Sequence, residues 1–148
     1  MSLQAIEAEW PQLLVDGYSK TSDETDDYNC IAWTGDDTTR KWDPDPTSGR
    51  YWPSGIPRSL DVESFIKLYE AECGYIVCDN DSLEEGIEKI AIFRDLFNQV
   101  THAARQLKSG AWTSKLGDLE DIEHNKLSSL QGAFYGQVAQ IMKRPRKP

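Results

Sequence analysis

Three things are scarce in this sequence. The first is cysteine: 148 residues hold only Cys30, Cys73 and Cys78. An odd, low count argues against a disulfide framework and for a reducing, cytoplasmic setting. The second is histidine. His102 and His124 are the only two, and no cysteine or histidine spacing matches a zinc site, so no metal and no other cofactor is expected. The third is positive charge. Sixteen Lys and Arg stand against 25 Asp and Glu, a net −9 with a pI near 4.7. A chain that tracks a phosphate backbone carries a basic face, so nucleic acid is not an expected partner. No run approaches the roughly 18 apolar residues that cross a membrane, so no membrane partner is expected. The first residues lack the basic-then-apolar order of a signal peptide. Glycine-rich phosphate loops, a GxSxG elbow, HExxH and EF-hand patterns are absent. Carboxylates abound, but no pair is singled out for glycosidase chemistry.

What is present suits one domain over 1–148 with a real core. Five tryptophans and 10% aromatic residues are too apolar for a disordered acidic chain. Residues 1–16 read as a short helix with Leu3, Ile6 and Trp10 on one face, kinked or ended by Pro11. Residues 17–27 are polar and acidic and read as a loop. Asn29 or Asp27 is the expected N-cap of a short helix carrying Cys30, Ile31, Ala32, Trp33 and Thr34, with Gly35 at its end. Residues 36–58 are rich in Asp, Pro, Gly and Trp. We expect an ordered loop there, stapled by Trp42, Tyr51 and Trp52, that could wall a cleft. Ser59 or Asp61 caps the clearest helix, whose stripe is Phe65, Ile66, Leu68 and Tyr69 and whose stop is Gly74.

Strands are expected at 75–78, 89–93, 101–107 and 111–116. The last three form an antiparallel meander, and Lys108-Ser109-Gly110 turns its hairpin. Asn125 is the expected cap of a C-terminal helix with Leu127, Leu130, Phe134, Val138 and Ile141 on one stripe. The basic segment 143–148 reads as a solvated, frayed tail. The fold class that follows is α+β: N-terminal helices packed on a small antiparallel meander, with a C-terminal helix.

Cys30 falls in the first turn of its helix, where free backbone N–H groups stabilise a thiolate. His102, at a strand start, can supply the base such a nucleophile needs. A third group normally orients the imidazole. A three-residue hairpin loop sets Ser114 opposite Ala104, on the His102 face. A two-residue loop puts Thr113 or Lys115 there instead. Asp118, Asp121 and His124 are loop alternatives. Asn29, Trp33, Trp52 and Gln106 are the candidate substrate-binding residues. The plain alternative is that Cys30 is a small apolar core residue, as a single cysteine most often is.

The stretches Tyr28-Asn29-Cys30-Ile31-Ala32-Trp33, Tyr51-Trp52-Pro53, His102-Ala103-Ala104-Arg105-Gln106-Leu107, Trp112-Thr113-Ser114-Lys115-Leu116-Gly117 and Tyr135-Gly136 resemble the motifs of an uncharacterised bacterial and phage domain family. Its layout is similar to papain-like cysteine hydrolases, including the NlpC/P60 cell-wall peptidases. The resemblance implies a papain-like fold, with Cys30 as nucleophile and His102 as general base. Such enzymes carry a His or Asn as third residue, where this chain has Ser114 or a close neighbour. The expected function is a thiol hydrolase or transferase acting on an amide, isopeptide or thioester bond of a peptide or protein. The alternative is an inactive binding module, an immunity or partner-recognition protein, whose acidic surface meets a basic protein partner.

Overall fold

The computed structural model describes residues 2–22, 27–116 and 120–146. The acidic run 23–26, Asp118 and the last two residues of the tail lie outside the described residues. Two short helices, α1 (Ser2–Glu9) and α2 (Gln12–Asp16), flank Pro11 and lead into β1 (Tyr18–Ser22). The short helix α3 (Cys30–Thr34) and the longer α4 (Val62–Cys73) follow. Six strands complete the chain: β2 (Ile76–Cys78), β3 (Ile87–Arg94), β4 (Val100–Gln106), β5 (Trp112–Lys115), β6 (Asp121–His124) and β7 (Gln137–Pro145). A 3-10 helix, Leu127–Leu130, precedes the last strand.

All seven strands join one antiparallel sheet in the order β1-β6-β5-β4-β3-β7-β2. Alternation along β3 splits the core into two layers. Ala91 and Phe93 pack with Ile6, Trp10 and Leu13 of the first helices on one face. Ile90 and Ile92 pack with Phe65, Leu68 and Tyr69 of α4 on the other, beneath Trp42 and Trp52. Asp61 caps α4 by accepting from the Ser64 N–H at 2.8 Å, and Gly74 ends it in the left-handed region.

This architecture overturns the expected papain-like fold class. Helices do not pack on a three-strand meander with a C-terminal helix; a seven-stranded sheet is covered on both faces by short helices. The 17–27 segment contributes β1, which pairs with β6 as a sheet edge. The largest departure is the C-terminal segment. Where a helix is expected, the chain makes the 3-10 turn and then β7, paired with β3 on one side and β2 on the other. The cause is a β-bulge. Ile92 pairs with Gln140 and Phe93 with Val138, so Ala139 is an extra residue in β7. The bulge puts Val138 and Ile141 in the same core layer three residues apart, which imitates helical spacing. The basic segment is not frayed in its described part: Lys143 to Pro145 are ladder residues of β7.

Gly132 and Gly136 bond each other's backbones and close the turn that carries Tyr135. Gly136 has φ 76°, and a Cβ built there collides with the Arg94 carbonyl oxygen. Gly136→Ala therefore adds left-handed strain to a backbone collision. Its expected cost is about 2–3 kcal/mol, read as a lower thermal midpoint. An unchanged midpoint would contradict this account of the turn.

Candidate functional site

The residues singled out in sequence gather around β4. The hairpin pairs Arg105 with Thr113 and Gln106 with Trp112, the register that sets Ser114 opposite Ala104. The β4–β5 ladder stops there. Alongside His102 and Ala103, side chains rather than ladder bonds bridge the two strands.

The bridge is a buried polar chain. His102 Nε2 lies 3.0 Å from Ser114 Oγ, and Ser114 Oγ lies 2.8 Å from His124 Nε2. His124 Nδ1 lies 3.0 Å from the Lys126 carbonyl oxygen. All three side chains are buried. One set of proton positions satisfies this chain. A carbonyl only accepts, so His124 Nδ1 carries a proton and donates to Lys126. In neutral His124 the other nitrogen, Nε2, is then an acceptor, so the single Ser114 hydroxyl proton points to it. Ser114 Oγ consequently accepts from His102, whose Nε2 carries a proton. The remaining His102 nitrogen, Nδ1, is left with its lone pair, and it has no hydrogen-bond partner.

Tyr135 stacks on the His102 ring at 4.2 Å and 9°, and Phe93 meets it edge-on at 5.3 Å. The Thr101 hydroxyl donates to the Tyr135 carbonyl and fixes that turn on β4. Burial pushes both imidazoles below their ordinary value. His102 lies well below 6.5, helped by the neighbouring His124. His124 falls to about 4, with the Lys126 bond partly offsetting burial.

Cys30 opens α3, and Asn29 caps that helix: its Oδ1 accepts from the Ala32 N–H at 3.1 Å and from the Trp42 N–H at 3.2 Å. Asn29 Nδ2 donates to the Trp42 carbonyl at 2.7 Å. Both ends of this amide are engaged in holding the tryptophan loop on α3. Cys30 stays partly exposed. Burial pushes its thiol above the ordinary value, while the N–H groups of Ala103, Ile31 and Cys30 itself, and the Lys115 charge, pull it back. The thiol thus meets β4 at the peptide unit joining His102 to Ala103. The helix packs with the second core layer, across the sheet from the His102 ring, and no hydrogen bond joins the thiol to His102.

The other candidates separate. Lys115 is fully buried, pairs in register with Asp121, and sits 5.6 Å from the Tyr28 ring centre. Asp121 accepts from the Tyr28 hydroxyl. Thr113 is buried opposite Glu123. Trp52 is buried against Phe65, and its indole N–H donates to the Ile56 carbonyl, so it staples its loop and does not face a cleft. Trp33 is half-buried under the Arg105 guanidinium, 4.6 Å from its ring centre. Gln106 is buried, donates to the Asp81 carbonyl and leaves Oε1 unpartnered at the wall of a separate concavity. Tyr135 enters the sequence analysis only as part of a motif, and its stacking on His102 is missed there because it falls inside an expected helix. Among the described residues no cluster of three or more His, Cys, Asp or Glu could hold a metal ion, and no helix is long and apolar enough to cross a membrane.

Folding keeps both histidines neutral, whereas the unfolded chain protonates them from about pH 6.5 downward. Their contribution to stability is complete above that pH and is lost as pH falls toward about 4. For His124 alone this amounts to roughly 3 kcal/mol. Denaturant unfolding at pH 7 and pH 4.5 is expected to show the loss, and His124→Gln to reduce it. Ser114→Ala, which leaves two buried ring nitrogens without their shared partner, is expected to cost about 1–3 kcal/mol. A pH-independent stability would contradict the assignment of two buried neutral rings.

No curated protein matches this chain, and no solved structure matches it. Residues 19–143 match the family described as Domain of unknown function (DUF7689), a span that includes Cys30, His102, Ser114, His124 and Tyr135. The chain belongs to that family.

Proposed function

We propose that this protein performs thiol chemistry on an amide, isopeptide or thioester bond of a peptide or protein, with Cys30 as nucleophile and His102 as base. One observation carries this reading. The Ser114–His124–Lys126 chain commits His102 Nε2 as a donor, which leaves Nδ1 as a buried, unpartnered lone pair beside the peptide unit that the Cys30 thiol touches.

At rest the thiol and the imidazole lie on opposite sides of the sheet. This mechanism therefore requires α3 to shift until the thiol reaches His102 Nδ1 through the gap where the β4–β5 ladder has ended. The Cys30 proton then moves to Nδ1 and the sulfur attacks the substrate carbonyl. The N–H groups of Ala103, Ile31 and Cys30 and the Lys115 charge steady the sulfur as it becomes anionic. The imidazolium then returns its proton to the departing amine or thiol, leaving an acyl-Cys30 thioester. Water or an acceptor amine resolves it, giving hydrolysis or transfer. Ser114 and His124 position the ring; the bond from His102 Nε2 to Ser114 survives protonation, because Nε2 is a donor in both states. No disulfide joins the three cysteines. That suits a reducing compartment, and we assign the work of this thiol to the cytoplasm.

A second reading is an inactive binding module whose net negative surface meets a basic protein partner. It is favoured by the burial that holds both thiol and imidazole neutral at rest.

An activated acyl ester with mass-spectrometric readout separates the two. Acylation is expected at Cys30 and not at Cys73 or Cys78. It should vanish in Cys30→Ala and slow by about 100-fold in His102→Gln, with folding checked by circular dichroism. Because His102 is already neutral, the rate should be flat between about pH 6 and 8. Labelling of Cys30 only after unfolding would overturn the enzyme reading and leave the binding module.

A further inference from the structure

The basic segment of β7, which the thiol chemistry does not use, lines a concavity of about 580 Å³. Arg105, Lys108, Arg144 and Arg146 face it, together with Ser109 and the carboxylates of Asp36 and Glu88. Four cations against two carboxylates is a local reversal in a chain of net charge −9.

The charges are built in. Glu88 Oε1 accepts from Arg144 Nε at 2.9 Å and Nη2 at 2.6 Å, and from the Tyr75 hydroxyl at 2.7 Å. Arg146 approaches its other oxygen at 3.5 Å and donates from Nη2 to the carbonyls of Ile87 and Gln106. Glu88 is thereby neutralised by two guanidinium groups, and the side chains of all three are at most 14% exposed. Arg105 Nη1 bonds the Trp33 carbonyl and Asp36, while its Nε and Nη2 make no hydrogen bond among the described residues. The Lys108 ammonium, at the β4–β5 turn, makes none among them either. The Ser109 hydroxyl accepts from the Ala111 N–H at 3.3 Å and keeps its own proton to donate. Unused guanidinium donors, an ammonium and a hydroxyl converge on a concave surface. A guanidinium fork matches the two oxygens of a carboxylate or phosphoryl group, and charge-assisted bonds to it are the strong ones.

We propose that this concavity is a binding site for an oxyanion, a phosphoryl or carboxylate group of a small molecule or a peptide. Arg105 and Lys108 are the residues that hold it, and Arg144 and Arg146 are the fixed wall. The site is independent of Cys30 and stands or falls separately from the thiol reading.

The test follows backbone amide shifts and the thermal midpoint of the full chain. Sodium phosphate and sodium succinate are titrated separately, each against sodium chloride at matched ionic strength. Saturable shifts centred on Lys108 and Ser109, with a rise in midpoint, are expected for at least one oxyanion. Lys108→Glu, on an exposed turn, should weaken that response roughly tenfold or more while the fold is retained. Arg105→Gln should do the same. Saturation by phosphate alone identifies a phosphoryl guest, and by succinate alone a carboxylate. A response that merely follows ionic strength, or that persists unchanged in Lys108→Glu, overturns the proposal.

Discussion

The hydrogen-bonded chain from His102 through Ser114 to His124 is the constraint on which the centre of this fold depends. It lies where the β4–β5 ladder has ended, so it does with side chains what backbone pairing does elsewhere in the sheet. Each link has one permitted polarity, because it is anchored on a main-chain carbonyl that can only accept. Buried polar groups are stabilising when every partner is satisfied and costly when one is not. Only the far end of this chain, His102 Nδ1, is unsatisfied. The fold tolerates that loss next to the Ala103 peptide group, which the buried thiol of Cys30 meets from the α3 side of the sheet.

Much of this is legible in sequence, and the failures have physical causes. Asn29 as a helix cap, Asp61 as another and Gly74 as a stop are local chemistry, and each is where short-range rules place it. The register of the hairpin follows from the length of its loop, so three loop residues are enough to set Ser114 on the His102 face. His124 is visible only as a loop alternative. Its role depends on β6 pairing with β5, a contact that no local pattern encodes. The C-terminal strand reads as a helix because a bulge at Ala139 breaks the two-residue alternation that marks strands. The papain-like fold expected from the motifs falls with it, since the closing segment is β7, the strand between β3 and β2. The edge strand β1 carries Tyr18-Ser19-Lys20-Thr21-Ser22, which has almost no apolar signal. Only its pairing with β6 makes it a strand.

Charge is distributed with the same economy. The chain is acidic overall, yet three of its seven arginines, Arg105, Arg144 and Arg146, meet at one end of β7 and β4, where the last two neutralise Glu88 and a positive concavity is left. The thiol and the cationic concavity both lie against α3, at opposite ends of that short helix: Cys30 begins it, and the Trp33 carbonyl near its end accepts from Arg105.

The central claim is that the hydrogen-bond chain fixes which nitrogen of His102 is free. Long-range nitrogen–proton correlation of the two imidazoles at neutral pH tests it most directly. The account predicts two neutral rings of opposite tautomer: His102 protonated at Nε2 and His124 protonated at Nδ1. A spectrum with His102 protonated at Nδ1, or with either ring doubly protonated at pH 7, would contradict it and remove the base from the proposed chemistry.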